Sequence, residues 1–254
     1  MAMLFTWKTT WIDEVMAERG SHIQRYITGP LGQQARPRVI TFEHVSTPEY
    51  GPSALRNVSL SVHEGEALAV IGPEGAGKSE LLACVEGLAQ PIKGHLNVMG
   101  YPVPPMTTEI RRRIGVMPRQ LDRTQAVLVA DLVRRFARYY NLDLSPAQIV
   151  AYCRHYALSA SWNIAQLSPS QLRLLALALT LIHDPHLVLL DEPLSGLSDA
   201  DGLLIQHYLR RIRSEGRTLL ATFMLPIAED QLRGYDLIVM LDKGHIVSQE
   251  SGKG

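Results

Sequence analysis

A short glycine-rich stretch has the residue types and spacing that most clearly predict chemistry in this sequence. Residues 72–79 read GPEGAGKS and fit the pattern G-x-x-x-x-G-K-[ST]. Glycines at these positions let several backbone N–H groups face one anion, and the helix that follows adds its N-terminal dipole. The Lys78 ammonium would reach the outer phosphates of a nucleotide, and the Ser79 hydroxyl would bind Mg²⁺. The pattern therefore predicts a phosphate-binding loop.

Two adjacent carboxylates later in the chain form the second candidate site. Residues 186–193 read HLVLLDEP, so an apolar run of strand length ends in Asp191 and Glu192. A buried parallel strand presents functional groups at its C-terminal edge, where a phosphate loop also lies. There Asp191 would hold Mg²⁺ through water, and Glu192 would polarise an attacking water. A phosphate loop followed by such a strand predicts nucleotide hydrolysis.

Hydrophobic patterns predict the elements that must position these two motifs. An apolar run of strand length at 66–71 precedes the loop, and apolar residues recur at helical spacing over 79–89. Apolar positions also follow helical spacing within residues 118–165, which predicts a helical insertion between strands. Further strands are predicted at 39–45, 59–62, 218–224 and 237–241. The order of elements indicates an α/β fold.

Composition excludes several function classes. The chain has 254 residues, 46% hydrophobic and 20% charged, with a formal net charge of zero. No basic excess favours nucleic acid, so we expect no such partner. Cys84 and Cys153 fit neither a metal spacing nor a disulfide framework, and we expect both to be small core residues. The most apolar region, residues 172–190, is interrupted by charges and a proline, which predicts a cytoplasmic protein without a transmembrane span.

The N-terminal residues 1–38 have a pattern of their own. Leu4, Trp7 and Trp11 fall on one helical face, which predicts an amphipathic helix. Such a helix packs against protein or lies on a membrane surface. The acidic pair Asp13 and Glu14 disfavours an anionic lipid surface, so we favour packing against protein.

From about Val39 to Ser248 the chain resembles the ATP-binding subunit of an ATP-binding cassette (ABC) transporter. The resemblance implies a P-loop NTPase (RecA-like) core with an antiparallel β layer and an inserted helical subdomain. The segments RRRIGVMP and DEPLSGL make it most similar to single-cassette subunits that pair with separate exporter permeases. We therefore expect an N-terminal extension at 1–38, an ATP-binding domain at 39–249 with the helical insertion at about 118–165, and a flexible tail at 250–254.

The resemblance also assigns roles to individual residues. Tyr50 matches the aromatic residue that stacks on adenine, Glu192 the catalytic carboxylate, and Ser79 with Asp191 the Mg²⁺ ligands. The implied ATP-binding residues are Tyr50, Gly72, Pro73, Glu74, Gly75, Ala76, Gly77, Lys78, Ser79 and Glu80. The segment LSPSQ matches the signature motif, which binds the nucleotide of a partner cassette, and comprises Leu167, Ser168, Pro169, Ser170 and Gln171. ATP and Mg²⁺ are the implied cofactors.

The sequence departs from the family pattern at positions that matter for hydrolysis. Arg119 stands where the family has a glutamine, and a guanidinium cannot bind Mg²⁺. Phe223 replaces the switch histidine and cannot hydrogen-bond to a γ-phosphate. Ser198 replaces the usual aspartate after SGL. In the signature, which is LSGGQ in the family, Pro169 removes a backbone donor and Ser170 adds a Cβ where phosphate approaches.

Glu80, beside the phosphate loop, stands where the family has threonine, and a carboxylate there repels polyphosphate unless it turns away. Together the departures predict a cassette that binds Mg-ATP and hydrolyses it weakly. The implied partners are an integral membrane permease, at the inner face of the membrane, and a second ABC ATP-binding domain in a homodimer or heterodimer. The alternative is a pseudo-ATPase that binds ATP and regulates a complex without significant turnover.

Overall fold

The computed structural model describes residues 36–48, 53–118, 121 and 126–252. These residues belong to one unit, Pro37–Gly254, apart from Arg36. Tyr50, Arg119 and the predicted N-terminal helix lie outside the described residues.

A six-stranded sheet forms the centre of this unit. Its strand order is β10-β9-β3-β8-β7-β6, and every neighbouring pair is parallel except β9 with β10. The strands are β3 (Ala67–Gly72), β6 (Ile114–Met117), β7 (Leu187–Leu190), β8 (Thr218–Met224), β9 (Leu237–Asp242) and β10 (His245–Ser251). The three adjacent strands β3, β7 and β8 are almost wholly buried, as expected for apolar strands covered on both faces. Because they are parallel, their C-terminal ends meet at one edge.

A four-stranded antiparallel sheet forms a second layer. Its order is β2-β1-β4-β5, with β1 (Arg38–Ser46), β2 (Val58–His63), β4 (Lys93–Val98) and β5 (Tyr101–Pro102). Alternate residues of β1 and β2 point inward, and Ile40, Phe42 and Leu60 join an apolar cluster with the inner face of β3. This cluster holds the antiparallel layer against the central sheet.

Four helices of the described residues begin with a side-chain N-cap, supplied by Thr107, Ser145, Ser168 and Ser198. In chain order they are α1 (Lys78–Val85), α2 (Thr108–Arg111), α3 (Val129–Tyr139), α4 (Pro146–His155), α5 (Pro169–Leu181), α6 (Asp199–Ser214) and α7 (Glu229–Leu232). Both α4 and α5 start with a serine N-cap, a proline and a glutamine that completes a capping box. Helices α3 and α4 lie between β6 and β7 in the chain and pack with α5 in a second apolar cluster.

The α/β prediction is confirmed, and three boundaries need correction. The predicted flexible tail begins too early, because Glu250 and Ser251 pair with β9 as part of β10. An edge strand is stabilised by backbone pairing, so the polar residues at its end did not predict that the strand continues. The helix predicted over 79–89 ends at Val85, and Gly87 with φ of +71° turns the chain away. The hydrophobic pattern of residues 171–183 predicts a helix from Gln171, and the helix begins at Pro169.

Candidate functional site

The glycine-rich loop connects the C-terminal end of β3 to the start of α1. Gly77 is the N-cap of α1 with φ of +101°, and Gly75 has φ of +75°, both in the left-handed region that favours glycine. A Cβ at Gly72 would overlap the carbonyl oxygen of Leu241 in β9. Three loop glycines are therefore required by the backbone path, which turns the N-terminus of α1 toward the edge of the sheet.

The Lys78 side chain lies buried beneath this loop. Its Nζ donates hydrogen bonds of 2.9 Å to the carbonyl oxygens of Gly72 and Pro73. It also lies 3.7 Å from Oε1 of Glu192, whose side chain is buried as well. The ammonium thus stands between the phosphate loop and the carboxylate after β7, where a bound phosphate would meet both.

Ser79 and Asp191 bring a hydroxyl and a carboxylate together. The Ser79 Oγ lies 3.1 Å from Oδ2 and 3.4 Å from Oδ1 of Asp191, so it donates chiefly to Oδ2. Oxygen donors of this kind suit Mg²⁺, which is usually held by one or two protein oxygens together with phosphate oxygens and water. The residues present therefore fit a magnesium site beside the first turn of α1.

Thr222 in β8 contacts both acidic residues and was not anticipated from the sequence. Its Oγ1 donates to Oδ1 of Asp191 at 2.8 Å and accepts from the backbone N–H of Glu192 at 2.9 Å. Glu192 has φ of +48°, a left-handed conformation uncommon outside glycine. The available signal in the sequence was a second threonine, Thr222, among apolar residues near the end of the strand TLLATFM.

The signature-like segment forms the start of α5. The Ser168 hydroxyl accepts from the Gln171 backbone N–H at 3.2 Å, and the Ser168 N–H donates to Oε1 of Gln171 at 2.8 Å. The Ser170 side chain is buried, with its Oγ 2.9 Å from that of Ser168. Leu167 is buried in the apolar cluster around α5. Because Pro169 has no N–H and two of the other groups already have partners, few donors are left for a phosphate here.

Two further departures have well-defined surroundings. Phe223 is buried in the same apolar cluster, and its ring meets the Tyr235 ring edge-on with 5.7 Å between centroids. Ser198 is the N-cap of α6, where its hydroxyl accepts from the Asp201 N–H at 3.2 Å and donates to the Asp201 carboxylate at 2.9 Å. Both side chains therefore have structural roles in this chain.

Comparison with known proteins identifies the family. The model of the family described as "ABC transporter" matches residues 55–195, more than half of the chain. The chain belongs to the ABC transporter family. Domains of this family bind ATP, typically with Mg²⁺, which agrees with the two motifs that meet at the sheet edge. This chain is an ATP-binding subunit of that family.

Two curated relatives carry the same description, "Nod factor export ATP-binding protein I". The protein from Mesorhizobium japonicum is 32% identical over 239 residues, which cover 91% of this chain and 69% of that one. The protein from Rhizobium meliloti strain 1021 is 32% identical over 220 residues, covering 85% and 65%. This ABC subunit therefore spans about two thirds of the length of these relatives.

Solved structures show the same fold. A dimeric ATP-binding cassette in a post-hydrolysis state with ADP and Pi aligns at a TM-score of 0.72 and 23% identity, covering 85% of this chain and 99% of that chain. A component of an ABC transporter complex from Clostridium perfringens aligns at 0.71 and 20% identity, covering 84% and 88%. Among the described residues of this ABC subunit, no helix is long and apolar enough to cross a membrane.

A groove of about 500 Å³ lies at the C-terminal end of α1, the helix that follows the phosphate loop of this ABC subunit. It runs between the end of α1, helix α2, strand β6 and the end of α3. Leu88 and Tyr139 expose 67% and 75% of their surface there, although both are apolar or aromatic. Glu86 also lines the groove. Burial, together with repulsion from Asp191, raises the pKa of Glu86 to about 7. No sequence pattern predicted this shift.

Proposed function

We propose that this chain is the ATP-binding subunit of a transporter complex in which it clamps Mg-ATP at a cassette dimer interface and hydrolyses it weakly. The observation that carries the proposal is the convergence of four side chains at one sheet edge. Lys78 and Ser79 come from the phosphate loop, and Asp191 and Glu192 from the end of β7. Tyr50 would stack on adenine, and residues 72–80 would surround the phosphates, with Mg²⁺ held by Ser79 and Asp191.

The contacts of Lys78 and Glu192 support the ATP-binding part of the proposal. A phosphate group entering the loop would replace the backbone partners of Lys78 as the acceptor of its ammonium. Bound Mg²⁺ would neutralise phosphate charge. The Glu192 carboxylate, held beside Lys78, would then orient a water for attack on the terminal phosphate.

Weak hydrolysis is supported by the surroundings of the residues that differ from the family pattern. Phe223 offers a buried phenyl ring where the family pattern has a hydrogen-bonding histidine. At the signature, Pro169 lacks a donor and Ser168 is engaged in capping α5. Loss of one group that contacts the transferred phosphate lowers turnover by roughly a hundredfold. In a heterodimer, only the nucleotide bound to the partner would contact this signature. In a homodimer, the nucleotides at both sites would contact it.

The groove beside α1 is the proposed contact with the permease. Exposed Leu88 and Tyr139 offer apolar area, and Arg111 with Arg112 adds positive charge at the rim. The resemblance to the family implies a permease contact near residues 118–131. The groove includes Val116 just before that segment, part of which lies outside the described residues. The named function of the relatives, export, makes outward transport the proposed direction. The proposed location is the cytoplasm, with the chain held at the inner face of the membrane through the permease.

A pseudo-ATPase that binds ATP and regulates a complex without turnover remains the second candidate, favoured by the engaged signature groups.

Two measurements test the leading proposal. A fluorescent ATP analogue should bind the purified chain in a Mg²⁺-dependent manner, and Lys78→Ala should abolish binding while Lys93→Ala, an exposed lysine in β4, should not. Affinity purification from detergent-solubilised membranes of the source cells should recover an integral membrane protein. Recovery of soluble partners alone would contradict the transporter assignment, and equal binding by Lys78→Ala would contradict the site.

A further inference from the structure

Thr222 lies between the two acidic residues of the nucleotide site without belonging to any motif. Its side chain is completely buried in β8, next to the C-terminal end of β7. Within β8 it precedes Phe223, and the two side chains point to opposite faces of the sheet because residues alternate along a strand. Phe223 joins the apolar cluster on one face, and Thr222 reaches the acidic residues on the other.

The direction of both Thr222 hydrogen bonds follows from the partners. A backbone N–H can only donate, so Oγ1 accepts from Glu192. The hydroxyl has a single proton, which is therefore committed to Oδ1 of Asp191 at 2.8 Å. This bond holds Oδ1 toward β8, and the other oxygen, Oδ2, is the one closer to Ser79. The threonine thus fixes which carboxylate oxygen faces the proposed metal ligand on α1.

The second bond fixes the backbone at Glu192. A residue other than glycine in the left-handed region is strained, and this conformation persists only where the surroundings hold it. The Glu192 N–H is buried and is paired with the Thr222 hydroxyl. The same turn directs the Glu192 carboxylate toward Lys78. One hydroxyl therefore positions both acidic side chains.

We propose that Thr222 is a positioning residue that orients Asp191 for the Mg²⁺ of bound nucleotide and holds the turn that carries Glu192. The inference rests on the proposed function and deepens it, since it assigns a role in metal binding to a residue outside the proposed pair of metal ligands. Partners that orient a metal ligand typically change metal affinity or activity by 10- to 100-fold when they are removed.

The test measures how much Mg²⁺ tightens nucleotide binding, with no need for turnover. The affinity of a fluorescent ATP analogue is measured in excess Mg²⁺ and in EDTA, and the ratio of the two is compared between variants. Thr222→Val keeps the shape and removes the hydroxyl, and we expect it to lower the ratio about tenfold. The affinity in EDTA should stay unchanged. Thr222→Ser, which keeps the hydroxyl, should retain the wild-type ratio.

The chain offers a matched control on the same strand. Thr218 is also buried in β8, and its hydroxyl accepts from the Gly65 N–H at 3.0 Å, at the end of the strand away from the acidic residues. Thr218→Val should keep the wild-type ratio. If Thr222→Val does not fold, Thr222→Ser and Thr222→Ala decide the question, because those two variants differ by one oxygen.

Each outcome separates the inference from the function on which it rests. A wild-type ratio for Thr222→Val and Thr222→Ala would overturn the positioning role while leaving Mg-ATP binding intact. An equal loss of affinity with and without Mg²⁺ would also overturn it, since that pattern indicates general disruption. Absence of any Mg²⁺ effect in the wild-type protein would overturn the proposed function and this inference together.

Discussion

The carboxyl group of Glu86 should make the stability of the folded chain fall as pH rises. Among the described residues the group has no hydrogen-bond or ion-pair partner, and burial with repulsion from Asp191 raises its pKa from 4.5 to about 7. In the unfolded chain the pKa returns to its ordinary value. Between these two values the folded state binds more protons, so deprotonation costs folding free energy. The penalty is absent below about pH 4.5 and complete above about pH 7.

The size of this penalty follows from the same two values. A difference from 4.5 to about 7 corresponds to at most about 3 kcal/mol. The group lies at the wall of an open groove, so solvent screening reduces the effect to about 1 kcal/mol. For a chain of this length, that amount shifts the melting temperature by about 2–4 °C.

Glu86→Gln removes the charge and keeps the shape, so it should raise the melting temperature by that amount at pH 8 and have little effect at pH 5. Thermal unfolding followed by circular dichroism, in EDTA and without nucleotide, measures the difference. Glu109→Gln is the matched control, since this carboxylate on α2 is exposed and forms a surface ion pair with Arg113 at 3.5 Å. The same stabilisation at both pH values, or destabilisation at pH 8, would refute the reasoning.

Two other predictions follow from the buried side chains. Burial raises the pKa of the Cys84 thiol to about 12 and that of the Cys153 thiol to about 11. Neither thiol should therefore react with a thiol reagent at pH 8 until the chain unfolds. Rapid labelling of the native protein would contradict this prediction. Phe223→His should raise the turnover of the assembled transporter, because it restores a hydrogen-bonding side chain at the end of β8. The same substitution should lower the melting temperature of the chain, because a polar ring replaces a buried phenyl group against Tyr235. Phe223→Leu is the control for packing, and a histidine variant with unchanged turnover would show that this position does not limit hydrolysis.

The elements that carry the motifs were predictable because their signals are local. The glycine spacing of residues 72–79 reflects a turn with positive φ angles, and the apolar run before Asp191 reflects a strand buried on both faces. The α/β fold followed from the order of such elements along the chain.

The contacts of Thr222 and Glu86 were not predictable in the same way. Thr222 meets Asp191 only because β7 and β8 are neighbours in parallel register, with Leu190 opposite Ala221. The charge of Asp191 acts on Glu86, just past the end of α1, although the two residues are far apart in sequence. Pairings between distant segments depend on topology, which periodicity in one sequence does not specify.

The rate of ATP hydrolysis by the assembled transporter tests the central claim most directly. Steady-state phosphate release is measured for the chain alone and with its permease, each beside a Glu192→Gln variant that keeps the side-chain shape and removes the carboxylate. We expect the wild-type chain and the Glu192→Gln variant both to bind ATP in a Mg²⁺-dependent manner. Phosphate release by the wild-type chain alone should be slow, and release by the variant should be slower still. Fast hydrolysis by the chain alone, lost in Glu192→Gln, would contradict the conclusion that this cassette is chiefly a nucleotide clamp.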